Sequence, residues 1–182
     1  MSNKDKAKTV KISRRRTIFE TTQKILSSHR ISTPPIPIES ILENEGIRVV
    51  PKNLDRITGA AVFKDGRMKI VYDKNQHEQR LRFTLAHEYG HLKLHSDKGV
   101  NFDEERSQVF FRDSRSSTGK HWREIEANLF AASLLMPETM IEEYLDKEDS
   151  IFVDDKMVEK LASEFDVSIT AMAIRLGSLG LT

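Results

Sequence analysis

Apolar residues recur at helical spacing over several stretches of the chain and at strand spacing over one, and this division outlines the fold. Ile18, Thr22, Ile25 and Leu26 share one helical face and predict a helix over 17–28. Pro34, Pro35 and Pro37 end it, and Pro37 can open a short second helix that carries Ile38, Ile41 and Leu42, with Gly46 as its stop. Three runs rich in β-branched and aromatic residues follow, over 47–50, 59–63 and 68–72, and read as strands. Lys64-Asp65-Gly66-Arg67 joins the last two with a tight-hairpin signal, so the expected sheet is small and antiparallel.

The pattern turns helical again over 76–95, with Leu81, Leu85, Tyr89 and Leu92 along one stripe. Residues 96–120 are polar and irregular and read as a long loop. A second strong helix, rich in Ala and Leu, is expected over 122–136, stopped by Pro137, with Trp122 packing its start. Amphipathic segments over 137–145 and 154–165 precede a last helix capped by Ser168. The fold class is α+β in three parts: a basic flexible tail over 1–16, a main domain over 17–150 and a C-terminal helical subdomain over 151–182, whose last two helices have a helix-turn-helix look.

Composition narrows the possible functions. Charged residues make up 31% of the chain and apolar ones 38%, which places it among ordinary globular proteins. The 29 basic residues almost cancel the 28 acidic ones, so no general attraction to nucleic acid or anionic lipid follows. The exception is the crowd of Lys4, Lys6, Lys8, Lys11, Arg14, Arg15 and Arg16, read as a solvated tail. With no cysteine, thiol catalysis and thiolate-bound zinc are excluded, and a metal would need His and carboxylate ligands. No apolar leader or membrane-length stretch is evident, and a cytoplasmic location is expected.

The chemistry concentrates in His87-Glu88-Tyr89-Gly90-His91. Two histidines four apart leave one helical face about a turn apart and can share one zinc ion. Glu88 then stands beside the metal rather than on it, where its carboxylate can act as general base. His95 cannot join them, because three histidines at this spacing span about 12 Å of helix axis. The position six beyond His91 is Asp97 and the glycine position is Leu94, which excludes the metzincin pattern. The third ligand is expected on the second strong helix: Glu124, with Glu126 as the alternative on nearly the opposite face. Asn128, one turn beyond Glu124, is positioned to orient a histidine. His29 and His77 sit at helix ends and read as surface or capping residues.

Two blocks together resemble the paired signatures of the ImmA/IrrE metallopeptidases. They are Arg82-Phe83-Thr84-Leu85-Ala86-His87-Glu88-Tyr89-Gly90-His91-Leu92 and Glu124-Ile125-Glu126-Ala127-Asn128-Leu129-Phe130-Ala131-Ala132-Ser133-Leu134-Leu135-Met136-Pro137. The resemblance extends from about Pro37 to the C-terminus. It implies a zincin-like, gluzincin-type peptidase domain over 17–150, with His87, His91 and Glu124 holding Zn2+ and Glu88 as catalyst. It also implies a protein substrate, a helix-turn-helix repressor whose cleavage relieves repression of a mobile element or a stress response. Because the N-terminus is short and basic, that repressor is expected to be a separate protein.

Stabilisation of the oxyanion is open among Tyr72, His121 and Arg82. Two other functions compete: a catalytically silent zincin scaffold that grips a repressor without cutting it, and DNA binding through the C-terminal helices. The second is disfavoured by the acidic run up to Asp166 and the scarcity of basic side chains there.

Overall fold

A computed structural model describes residues 3–55, 57–64, 67–95, 117–148 and 153–182. Helix α1 (Asn3–Ser28) is followed by α2 (Ile38–Asn44), strands β1 (Arg48–Lys52), β2 (Gly59–Lys64) and β3 (Arg67–Asp73), and then α3 (Glu78–His95). The chain continues with α4 (Ser117–Leu135), α5 (Glu138–Lys147), α6 (Asp155–Glu164) and α7 (Ile169–Leu179). The mixed α+β class is as expected. Asp65 and Gly66 of the hairpin, and 96–116 of the expected loop, lie outside the described residues.

Four helices end the same way. Arg30, Gly46, Asp166 and Gly180 take positive φ, and the next residue donates its N–H back across the last turn: Ile31 to Leu26, Ile47 to Leu42, Val167 to Ala162 and Leu181 to Leu176. This satisfies otherwise orphaned carbonyls and turns an apolar residue inward. Ile47 and Val167 are buried accordingly. Asp154 and Ser168 cap the N-termini of α6 and α7 through the Met157 and Ala171 amides, the latter as read from the sequence.

The sheet and the second strong helix depart from expectation. Within the segment expected as a tail, 1–16, the backbone is helical from Asn3. The segment has no Gly or Pro and is rich in Lys and Arg, both good helix formers, so helix propagates backward from the turns anchored by buried Ile18, Thr22, Ile25 and Leu26. Arg14 also finds a partner in Glu126 of α4, at 2.6 Å. The sheet is mixed, not antiparallel. Its order is β1-β3-β2, β2 and β3 pairing antiparallel and β1 and β3 parallel. The link after β1 steps across one strand width, leaving the middle place for β3. The second strong helix begins at Ser117 rather than in a loop before Trp122, and Trp122 is 48% exposed rather than packed.

The core lies where α3 rests on the sheet and on α2, with α4 behind it and α1 against α4. Leu85, Ala86, Tyr89 and Leu92 of α3 interlock there with Phe130, Ala131, Leu134 and Leu135 of α4. Two buried arginines fasten the C-terminal helices to this core. Arg82 donates to the carbonyls of Ile36 (2.9 Å) and Asp166 (3.1 Å) and pairs with the Asp166 carboxylate, while Arg175 donates to Met136 O at 3.0 Å. Arg82→Met should therefore destabilise the protein by about 3 kcal/mol, leaving carbonyls and a carboxylate unpaired. Urea denaturation would measure it, with the exposed Arg80→Met as a control expected to change little.

Candidate metal centre

The distance between α3 and α4 is set at Gly90. A Cβ there would lie 3.0 Å from Phe130 Cδ1 and 3.2 Å from its Cβ, so the missing side chain is what lets the Phe130 ring seat against α3. The Phe130 ring then meets Tyr89 edge-on at 5.5 Å. Ala127 and Ala131 keep the facing side of α4 equally slim. Tyr89 is fully buried and its hydroxyl donates to Glu45, which Lys93 also engages at 2.6 Å; both motif neighbours are structural. His29 belongs to that group, 3.7 Å from Glu45, rather than to open surface.

This close approach brings three side chains from two helices to one point. His87 Nε2 and His91 Nε2 are 3.1 Å apart, and Glu124 places Oε2 3.2 Å from the first and Oε1 3.3 Å from the second. An ion bound tetrahedrally at about 2.0 to 2.1 Å needs donor atoms about 3.3 Å apart, so the three match one face of a zinc-sized coordination shell. They form a group that could hold a metal ion. His87 Nδ1 stands 2.9 Å from Asn128 Oδ1. A carbonyl oxygen only accepts, so in the neutral ring Nδ1 carries the proton and Nε2 turns its lone pair toward the shared point. The donor set and its tautomer fit zinc.

The same proximity shapes the charges. Burial works against protonation of His87, but its hydrogen bond to Glu124 and the charge of Glu88 outweigh it, and its pKa is raised. Hydrogen bonds from His87 and His91 hold the Glu124 carboxyl far below the usual range. Glu88 goes the other way: burial raises its pKa, against the pull of His91, His87 and the Ala61 backbone. Glu88 as a whole is only 8% exposed and lies under β2, where a Cβ on Gly59 would be 3.2 Å from Glu88 Cγ and 3.4 Å from Oε1.

The Glu124 and Glu126 alternatives separate in space. Glu124 meets both histidines, whereas Glu126 pairs with Arg14 and approaches His95 at 3.8 Å. The His95 ring lies tilted beside that of His91, centroids 5.6 Å apart, without joining the group. Of the residues considered for the oxyanion, Arg82 is consumed by its carbonyls and Asp166. His121 lies within α4, exposed, one turn before Glu124. Tyr72 pairs in register with Gly59 and so leaves the sheet on the face where Gly59 meets Glu88. The sequence reading overlooked Gly59; its one signal was the run Gly59-Ala60-Ala61, unusually small for a strand.

Residues 42–177 match the model of the peptidase M78 family, described as the IrrE N-terminal-like domain. The chain belongs to this family. A relative from Bacillus phage phi105, named "Uncharacterized immunity region protein 2", is 29% identical over 150 residues, covering 80% of this chain and 87% of the relative. A solved Mycobacterium tuberculosis transcriptional regulator shares the fold, with a TM-score of 0.59 and 17% identity over 88% of this chain. The chain spans 46% of that regulator's length.

Two outcomes follow for the centre. Asn128→Ala should weaken zinc binding by about 10- to 100-fold, measured by competition with a chromogenic chelator. Protons compete with metal for His87, and its raised pKa favours the proton. Below that pKa the metal-free protein keeps the imidazolium–Glu124 pair and loses it as pH rises through the folded pKa; zinc binding gains over the same range. The rise in melting temperature on adding zinc should thus shrink from about pH 8 to about pH 5.5.

Proposed function

We propose that the protein is a zinc-dependent endopeptidase that cleaves a helix-turn-helix transcriptional repressor, relieving repression of a mobile element or stress response. The observation that carries this reading is the convergence of His87, His91 and Glu124 on one point with the buried Glu88 carboxylate beside it. The immunity-region name of the phage relative and the regulator fold of the structural neighbour fit a repressor as partner. Such a substrate is met in the cytoplasm, and no helix among the described residues is long and apolar enough to cross a membrane.

His87, His91 and Glu124 would hold the ion, and Asn128 would keep His87 in the binding tautomer. Zinc, when bound there, supplies Lewis acidity that makes water more acidic and a peptide carbonyl more electrophilic. Glu88 accepts a proton from water as its oxygen adds to the carbonyl carbon, and gives that proton to the amine nitrogen as the C–N bond breaks. A carboxyl with a raised pKa suits both halves, since it must take and return a proton near neutral pH. Tyr72 is the residue best placed by register to donate to the oxyanion.

Elemental analysis with a cleavage assay tests this. About one zinc per chain is expected in the parent, retained in Glu126→Ala and Glu88→Gln and lost in Glu124→Ala. Incubation with a candidate helix-turn-helix repressor should yield two fragments, and Glu88→Gln should slow that cleavage by about a thousandfold. Equal repressor binding by parent and Glu88→Gln, with neither cutting, would favour the silent scaffold instead.

A further inference from the structure

We propose that Gly59–Ala61 of β2 is a positioning element for Glu88, and that Gln76 anchors it. The proposal rests on Glu88 as the general base. β2 is an edge strand among the described residues, flanked only by β3. Asp73 N donates to Thr58 O at 2.9 Å, which fixes the phase of the ladder. With Ala60 opposite Val71 and Ala61 opposite Ile70, Ala60 bonds to β3, while the N–H and C=O of Gly59 and Ala61 leave on the free edge. A free-edge amide normally meets water or another chain. Here the Ala61 amide faces the Glu88 carboxylate and favours its charged form.

Two features hold the strand at that distance. The first is the absent side chain at Gly59: a Cβ there would sit 2.6 Å from Thr84 Cγ2 as well as against Glu88, so any larger residue drives β2 away from α3. Thr84 and Glu88 are one helical turn apart on the same face and meet β2 together. The second is Gln76, whose Nε2 donates to Thr58 O (2.7 Å) and Asp73 O (3.0 Å) while its Oε1 accepts from the Thr84 hydroxyl (2.8 Å). One amide thereby ties the start of β2, the end of β3 and the motif helix. A largely buried carboxylate is oriented by the fixed donors around it, so the strand's N–H helps set where its lone pairs point.

The test is amide hydrogen exchange by NMR on the zinc-loaded protein. The Ala61 amide should be protected despite its free-edge position. Its exchange should accelerate by about 10- to 100-fold in Glu88→Ala, Gly59→Ala and Gln76→Leu, the loss expected for a hydrogen bond to a charged group. The Val71 amide, within the β2–β3 ladder, should stay protected, and zinc should remain at about one per chain, which separates the effect from unfolding or loss of the centre. Adding Thr84→Ser to Gly59→Ala removes the closest clash, keeps the hydroxyl for Gln76, and should restore Ala61 protection. An unprotected Ala61 amide in the parent, or no change in Gly59→Ala with the ladder and zinc intact, would overturn the proposal. Failure of the peptidase reading would show separately, as absent zinc or absent cleavage.

Discussion

Everything at the centre depends on how closely α3 and α4 approach, and a hydrogen atom sets that approach. At Gly90 the α3 surface has no side chain, and Phe130 fills the space down to 3.0 Å from where a Cβ would stand. Two histidines on one helix form only an edge of a coordination shell; the third donor must come from elsewhere and arrive within a few tenths of an ångström. Because Phe130 lies six residues beyond Glu124 on the same rigid helix, the contact that seats Phe130 also delivers the Glu124 carboxylate. The separations of 3.1, 3.2 and 3.3 Å are a packing result before they are a chemical one.

Packing also divides the labour between two carboxylates that share the same pair of histidines. Glu124 lies between the imidazoles and is half-exposed, so hydrogen bonds dominate and it stays ionised, as the proposed ligand role requires. Glu88 is covered by β2, so burial dominates and its proton affinity rises. Identical chemistry is tuned in opposite directions by which element covers it. The second helix sets one role and the edge strand the other.

Much of this could be read from local pattern. The spacing of His87 and His91, the face shared by Glu124 and Asn128, and the slim side at Gly90 are properties of single helices, and helical phase alone turns Glu126 about 200° away from Glu124. What pattern could not supply was pairing across distance. Arg14 looked like one more charge in a solvated run until Glu126, on another helix, became its partner. The parallel pairing of β1 with β3 depends on where a connection crosses, which alternation does not encode. The small residues at Gly59 and Ala61 carried a signal, but it becomes a contact with Glu88 only once β2 and α3 are docked.

The C-terminal helices show why shape alone is a poor guide to function. α6, the turn at Asp166 and α7 have a helix-turn-helix form, and in a DNA reader the second helix would offer basic side chains to phosphates. The single basic residue of α7, Arg175, instead points inward and spends its charge on Met136 O at the end of α4. The outward positions carry Ile169 and Ile174. From the other side, Arg82 reaches out of the motif helix to hold the Asp166 turn. Each helix of the centre is thus clamped to this unit by one buried guanidinium, α3 through Arg82 and α4 through Met136. Held by both, the unit braces the angle between the two helices whose separation decides whether three donor atoms can meet.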